Sequence, residues 1–307
     1  MSTKAAFHQK PADLHGQMVE AADTGTQHSD GLTKTKALVV SPARQTPVLT
    51  PVVWRDRTVQ VETLWIAPQR VSAPLLVFLH EGLGSVAMWK DFPQQLCDAG
   101  GFRGLVFSRP GYGRSTPRAP DEAWAADFMH QQAHEVLPVL LDTLGVAEAP
   151  WLFGHSDGAS IALLFAARFP QRLSGLVLLA PHIMVEDVTL KNIEHARQAY
   201  LTTDLPQKLG RYHDDANSAF WGWNRIWLDP AFRAWSIEQE LGSINVPVLA
   251  IQGLDDEYGT LAQIRGIAQR VPRTRLLELH GCAHSPHRDQ PQKIIADTTA
   301  FIAAAQR

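Results

Sequence analysis

The chain carries a serine between two glycines at the point where an apolar run gives way to a helical pattern. The stretch reads Trp151-Leu-Phe-Gly-His-Ser-Asp-Gly158, and residues 159–169 continue as a helix candidate. A sharp strand-to-helix turn needs glycines there, because a side chain at Gly154 or Gly158 would meet the neighbouring strand and helix. Such a turn lifts the Ser156 hydroxyl clear of the backbone, and the helix start behind it favours developing negative charge. Those are the requirements of a nucleophile in acyl transfer.

A serine nucleophile needs a base, a group that orients the base, and donors for the oxyanion. His284 lies in His280-Gly-Cys-Ala-His284-Ser-Pro-His287, just after an apolar run, where a mobile imidazole can reach a distant serine. His280 sits nearer that run, and His287 reads as the start of a terminal helix. Gln252-Gly-Leu-Asp-Asp-Glu257 follows another apolar run, and Asp255, Asp256 and Glu257 compete there as the orienting carboxylate. The oxyanion donors are expected to be backbone amides: that of Asp157, and that of Gly82 in His80-Glu-Gly-Leu-Gly84, with Leu83 as the alternative.

Glu81 and Asp157 place two further carboxylates beside this chemistry. Glu81 is expected either to pair with Arg109 or Arg114 or to face the substrate. Asp157 either answers the helix dipole or receives a cationic amine. The histidines show no H-E-x-x-H, and Gly111-Tyr-Gly113 lacks the third glycine of a dinucleotide fingerprint. The expectation is chemistry with no cofactor and no metal.

Elements that could position these residues recur along the chain. Apolar, β-rich runs at 75–79, 104–107, 151–153, 176–179, 248–251 and 275–279 follow an alternating run at 59–65. Helical patterns at 86–99, 122–144, 159–169, 261–270 and 292–305 separate them, which predicts an α/β fold with a mostly parallel sheet flanked by helices. One interval, 183–243, is too long for a crossover. It holds helical material at 190–201, and Trp221, Trp223, Trp227 and Trp235. It reads as a helical cap inserted into a core of 47–182 and 244–307. His182, Trp221, Trp223 and Trp227 are the expected substrate-binding residues, set against the plainer reading that the tryptophan rings dock the cap on the core.

With 307 residues, a net charge of −3 and no basic run, the chain is expected to bind a small-molecule substrate, not nucleic acid or a membrane. Two cysteines are too few for a disulfide framework, and residues 1–46 read as a flexible tail without an apolar signal region; a cytoplasmic setting is expected.

Taken together, the motifs resemble the α/β-hydrolase superfamily across residues 47–307. His80-Glu-Gly-Leu-Gly-Ser85 is similar to its H-G-x-x-G-S loop, with Glu81 at a usual glycine. Ser108-Arg-Pro-Gly-Tyr-Gly-Arg-Ser115 is similar to D-x-P-G-x-G-x-S, with Ser108 at a usual aspartate. Gly253-Leu-Asp-Asp256 fits a G-x-x-D motif and so favours Asp256 over Asp255, and His284 with Pro291 fits H-x6-P. The resemblance implies an eight-stranded-type sheet and a Ser156–His284–Asp256 triad. It also implies a serine esterase of carboxylesterase type acting on a small or medium ester, thioester or lactone. Carbon–carbon hydrolysis of meta-cleavage type is the alternative, and a receptor with vestigial turnover is a third. Removing residues 1–46 is expected to leave soluble protein; loss of soluble protein would place that segment in the folded core.

Overall fold

A computed structural model describes residues 45–119 and 121–307; of the expected tail, all but positions 45 and 46 lies outside the described residues. Eight strands form one sheet: β1 Val48–Trp54, β2 Arg57–Ile66, β3 Leu75–Leu79, β4 Arg103–Phe107, β5 Trp151–His155, β6 Gly175–Leu179, β7 Val248–Gly253 and β8 Thr274–Leu279. Their order is β1-β2-β4-β3-β5-β6-β7-β8, antiparallel through β2 and parallel from β4 onward. Strands β3, β5, β6 and β7 are buried on both faces, as continuous apolar runs require. β1 was not expected. Pro51 lies within it and is tolerated because the strand is at the sheet edge.

The helices are α1 Phe92–Gly100, α2 Phe128–Gln131, α3 Leu137–Thr143, α4 Asp157–Arg168, α5 Asp187–Thr202, α6 Leu205–Leu209, α7 Ala216–Trp227, α8 Ala262–Arg270, α9 Pro286–Asp289 and α10 Pro291–Ala305. A π-helical turn, Gln132–Val136, joins α2 to α3. Pro138, which cannot donate to the helical ladder, follows one residue later. Apolar side chains fill both sides of the sheet, around Leu152 and Phe165 on one side and around Phe78 and Trp89 on the other.

Between β6 and β7 the chain leaves the core to form α5, α6 and α7. The two ends of this excursion meet in a single antiparallel bridge between Met184 and Ser236, flanked by Val185 N–H to Trp235 O (3.2 Å) and Ile237 N–H to Ile183 O (2.9 Å). Farther out, Tyr200 of α5 stacks on Phe220 of α7 at 3.8 Å, and Asn224 donates to the Ile193 carbonyl. His213, between α6 and α7, accepts from Gly113 N–H and donates to the Leu83 carbonyl, so it bonds two loops of the core at once. Among the described residues no helix is long and apolar enough to cross a membrane.

Close approach of backbone to backbone limits the β5–α4 turn. A Cβ at Gly158 would lie 2.1 Å from Leu79 O, and one at Gly154 would lie 2.6 Å from the Ala159 Cα. Neither neighbour is a side chain that can swing aside. Gly158→Ala is therefore expected to cost at least ~2 kcal/mol in a urea unfolding experiment, in the range seen for overpacked interiors. A variant within about 0.5 kcal/mol of the parent would show that the turn relaxes freely.

Candidate active site

The carboxyl ends of β3, β5, β6, β7 and β8 each deliver a loop to one place, the position at which open parallel sheets bind ligands. At its centre Ser156 has φ 52° and ψ −121°, a left-handed conformation rare for a residue with a side chain. Ser156 N–H donates to Leu179 O at 2.9 Å, which ties the strained residue to the end of β6.

Three side chains from separate loops form one relay. His284 Nε2 lies 3.0 Å from Ser156 Oγ, and His284 Nδ1 lies 2.8 Å from Asp256 Oδ1. Asp256 is buried, and its two oxygens also accept from Tyr258 N–H, Gly259 N–H and Gln252 Nε2. Burial alone would raise the Asp256 pKa. The charge of His284 and the bonds from His284 and Tyr258 outweigh burial and bring it down to about 2. Burial likewise disfavours a charged His284, but the Asp256 carboxylate, followed by Glu257 and Glu81, raises its pKa above the ordinary histidine value. Asp255 is not in the relay; its N–H donates to Cys282 O. The Glu257 carboxylate accepts the backbone N–H of His284. Helix α5 steadies the acid loop, with Thr189 donating to Tyr258 O and Asn192 to Glu257 O.

The loop after β3 is organised around one carbonyl. Glu81 O accepts from His80 Nδ1 (2.7 Å), Arg109 Nη2 (2.9 Å) and Gly84 N–H (3.1 Å). His80 Nε2 accepts from Arg109 N–H, so the proton of a neutral ring sits on Nδ1. Burial holds His80 in that neutral form. Because the peptide is planar, a carbonyl turned into this cluster aims the next N–H, that of Gly82, the opposite way. Trp223 from α7 lies over Gly82, and a Cβ there would fall 2.2 Å from its indole nitrogen. Among the described residues neither Gly82 N–H nor Asp157 N–H, at the first position of α4, is spent on a protein acceptor.

The remaining expected residues sort by their contacts. His182 is buried 5.7 Å from the His284 ring and 5.1 Å from Trp227, and burial brings its pKa down to about 3. Trp227 packs on Phe232 and faces the Asp157 carboxylate without a well-formed hydrogen bond. Trp221 turns instead to Tyr200 and Phe220, with Arg225 over its face, all within the excursion between β6 and β7. The Asp157 side chain is 1% exposed, and its cationic neighbour is Arg109 at 3.8 Å. Burial pushes its pKa up to about 6 against the pull of Arg109. The expected pairing of Glu81 is corrected: its carboxylate meets Arg288 at 3.2 Å and lies 3.5 Å from His155 Nδ1. Arg109 meets only its carbonyl, and Arg114 pairs with Asp214. Three residues the sequence reading did not single out also stand here: His155, Arg288 and Gln252. Only His155 had a local signal, its place in the elbow.

The arrangement can move a proton from a serine hydroxyl to an imidazole and hold the negative charge that follows. With fold and geometry together, the chain belongs to the α/β-hydrolase family: the profile described as alpha/beta hydrolase fold matches residues 74–227, half of the chain. Several of the curated proteins it resembles are hydrolases. A zearalenone hydrolase from Cladophialophora bantiana is 32% identical over 142 residues, 46% of this chain and 51% of that protein, so the chain matches about half of its length. A bifunctional esterase/perhydrolase from Acinetobacter calcoaceticus is 27% identical over 265 residues, 75% of this chain and 92% of the relative. A 2-hydroxy-6-oxo-6-phenylhexa-2,4-dienoate hydrolase from Comamonas testosteroni is 26% identical over 239 residues, 68% and 80% of the two chains.

Only neutral His284 can accept the serine proton, so turnover is expected to fall as pH drops through its pKa. That pKa is raised, which puts the midpoint of the acid limb above the reference value of ~6.5. Asp157, near 6, titrates lower, and in Asp157→Asn the limb is expected to persist. A kcat/KM profile that stays flat below pH 5 would remove His284 from the role of base.

Proposed function

We propose that the protein is a cofactor-free serine hydrolase that cleaves a small or medium carboxylic ester, thioester or lactone through an acyl-enzyme. The observation that carries this reading is the unbroken hydrogen-bonded line from Asp256 through His284 to Ser156. His284 takes the Ser156 proton as Oγ attacks the acyl carbon. The resulting oxyanion is received by the N–H groups of Gly82 and Asp157, at the start of α4, where the helix dipole adds to the two bonds. His284 then passes the proton to the departing alcohol. Water, deprotonated by the same imidazole, releases the acid and restores Ser156. Asp256 keeps the Nδ1 proton in place and balances the imidazolium.

The similarity to the esterase/perhydrolase, over most of both chains, supports ester chemistry. Trp223 and Trp227 beside Gly82, Asp157 and His182 support an apolar or aromatic group on the substrate. The dienoate hydrolase favours a second reading, hydrolysis of a carbon–carbon bond in a vinylogous diketone by the same triad.

The test is steady-state hydrolysis of p-nitrophenyl esters from acetate to laurate, plus benzoate. Ser156→Ala is expected to lose activity on the order of 10³-fold or more without loss of fold. Near-normal turnover in that variant would end the serine mechanism. Absence of wild-type turnover on every ester would move the assignment to carbon–carbon hydrolysis. Asp256→Asn is expected to be slower than Asp255→Asn, since only Asp256 touches the imidazole; the reverse ranking would reassign the acid.

A further inference from the structure

Glu81 stands where the resemblance has glycine, and its side chain is not idle. It is 16% exposed, at the meeting point of three loops. Oε1 accepts from Arg288 Nη2 at 3.2 Å; Arg288 is on α9, four residues beyond His284. Oε2 faces His155 Nδ1 at 3.5 Å, on the residue immediately before the nucleophile. His155 in turn donates from Nε2 to the backbone carbonyl of His284 at 2.7 Å. One carboxylate thus links the loop that carries Gly82, the strand that ends just before Ser156 and the segment that carries His284.

We propose that Glu81 is a positioning residue for His284: its carboxylate, bonded to Arg288 and set against His155, fastens these three segments together and places a further negative charge behind the catalytic imidazole. The inference rests on the serine-hydrolase reading. Charge on Glu81 favours the imidazolium that forms when Ser156 attacks, in the same sense as Asp256. Glu81 is suited to that task because it remains ionised: burial opposes ionisation, but His155 and Arg288 hold its pKa well below the usual carboxylate range.

Other groups also face His284. Asp256, Glu257 and Tyr258 come from the loop after β7, and His182 from the loop after β6. His155 ends β5, Asp157 opens α4, and His287 lies on α9. Glu81 is set apart from the carboxylates among them by its location. It belongs to the oxyanion-side loop and carries a neutralising arginine from the histidine side.

The sign of the pH shift on removing the Glu81 charge separates this role from simple damage. Removing the Glu81 charge destabilises the imidazolium and moves the acid limb to lower pH. Removing Arg288 takes away the cation that ties the Glu81 carboxylate to α9. Both changes loosen the tether, so kcat falls while KM holds. The experiment measures kcat and KM against pH for wild type, Glu81→Gln and Arg288→Gln on the best p-nitrophenyl ester, with Ser156→Ala alongside. The expected shift for Glu81→Gln is about 0.5 pH unit or more toward acid. A Glu81→Gln midpoint that is unmoved or raised overturns the proposal. If Glu81→Gln does not accumulate as soluble protein, Arg288→Gln decides, since Arg288 is about half exposed. An unchanged kcat there overturns it equally. Activity retained in Ser156→Ala fails the hydrolase reading itself, a result distinct from both.

Discussion

The left-handed Ser156 is the constraint on which the site depends. A residue with a side chain held there costs of order 1–3 kcal/mol and persists only where its surroundings over-determine it. Those surroundings are specific. Leu79 O occupies the space a Gly158 side chain would need, Leu179 O takes the Ser156 N–H, and α4 begins directly behind. The two carbonyls come from neighbouring strands of the parallel sheet. The register of β3 on β5 and of β5 on β6 is therefore what holds the hydroxyl in place.

Around that turn the protein concentrates charge that would be costly if left alone. Asp157 and Arg109 are both fully buried beside Ser156, and His284 feels both Asp256, through a direct bond, and Glu81, through its charge. A buried carboxylate lacking a cation protonates or disrupts its surroundings. Here the cationic partners, Arg109 and Arg288, come from other segments of the chain, so neutralisation of charge also joins those segments. The carbonyl of Glu81 shows the same economy: the donors that satisfy it, from His80 and Arg109, also aim the following amide.

The parts legible in the sequence are those governed by local rules. Doubly buried strands read as apolar runs, and the glycine-flanked serine, the carboxylate loop and the histidine loop each follow such a run. β1 was missed because Pro51 argues against a strand until the strand is known to lie at an edge. The pattern at 122–144 read as one helix, whereas the structure begins it at Phe128 and resets it by a π turn before Pro138. Pairings over long separations were not legible. Glu81 looked toward the arginines nearest in the motifs, but its partner is Arg288, brought near only when β3 and β8 deliver their loops to the same end of the sheet. Ser108, at a usual aspartate, is matched by buried Glu62 on β2, whose carboxylate accepts the Ser108 hydroxyl and Arg114 N–H. Nothing near Ser108 in the sequence announces that substitute.

The bridge between Met184 and Ser236 has a consequence for how such a molecule can diversify. The chain leaves the sheet and returns to it side by side, so everything between is a graft on a closed stem. The entropic cost of closing such a loop rises slowly, by only ≈ 0.6 kcal/mol for each doubling of its length. Segments of very different size and shape can therefore be exchanged on this stem while the strand register beneath stays as it is. Selection can then rework the excursion without disturbing the turn that holds Ser156.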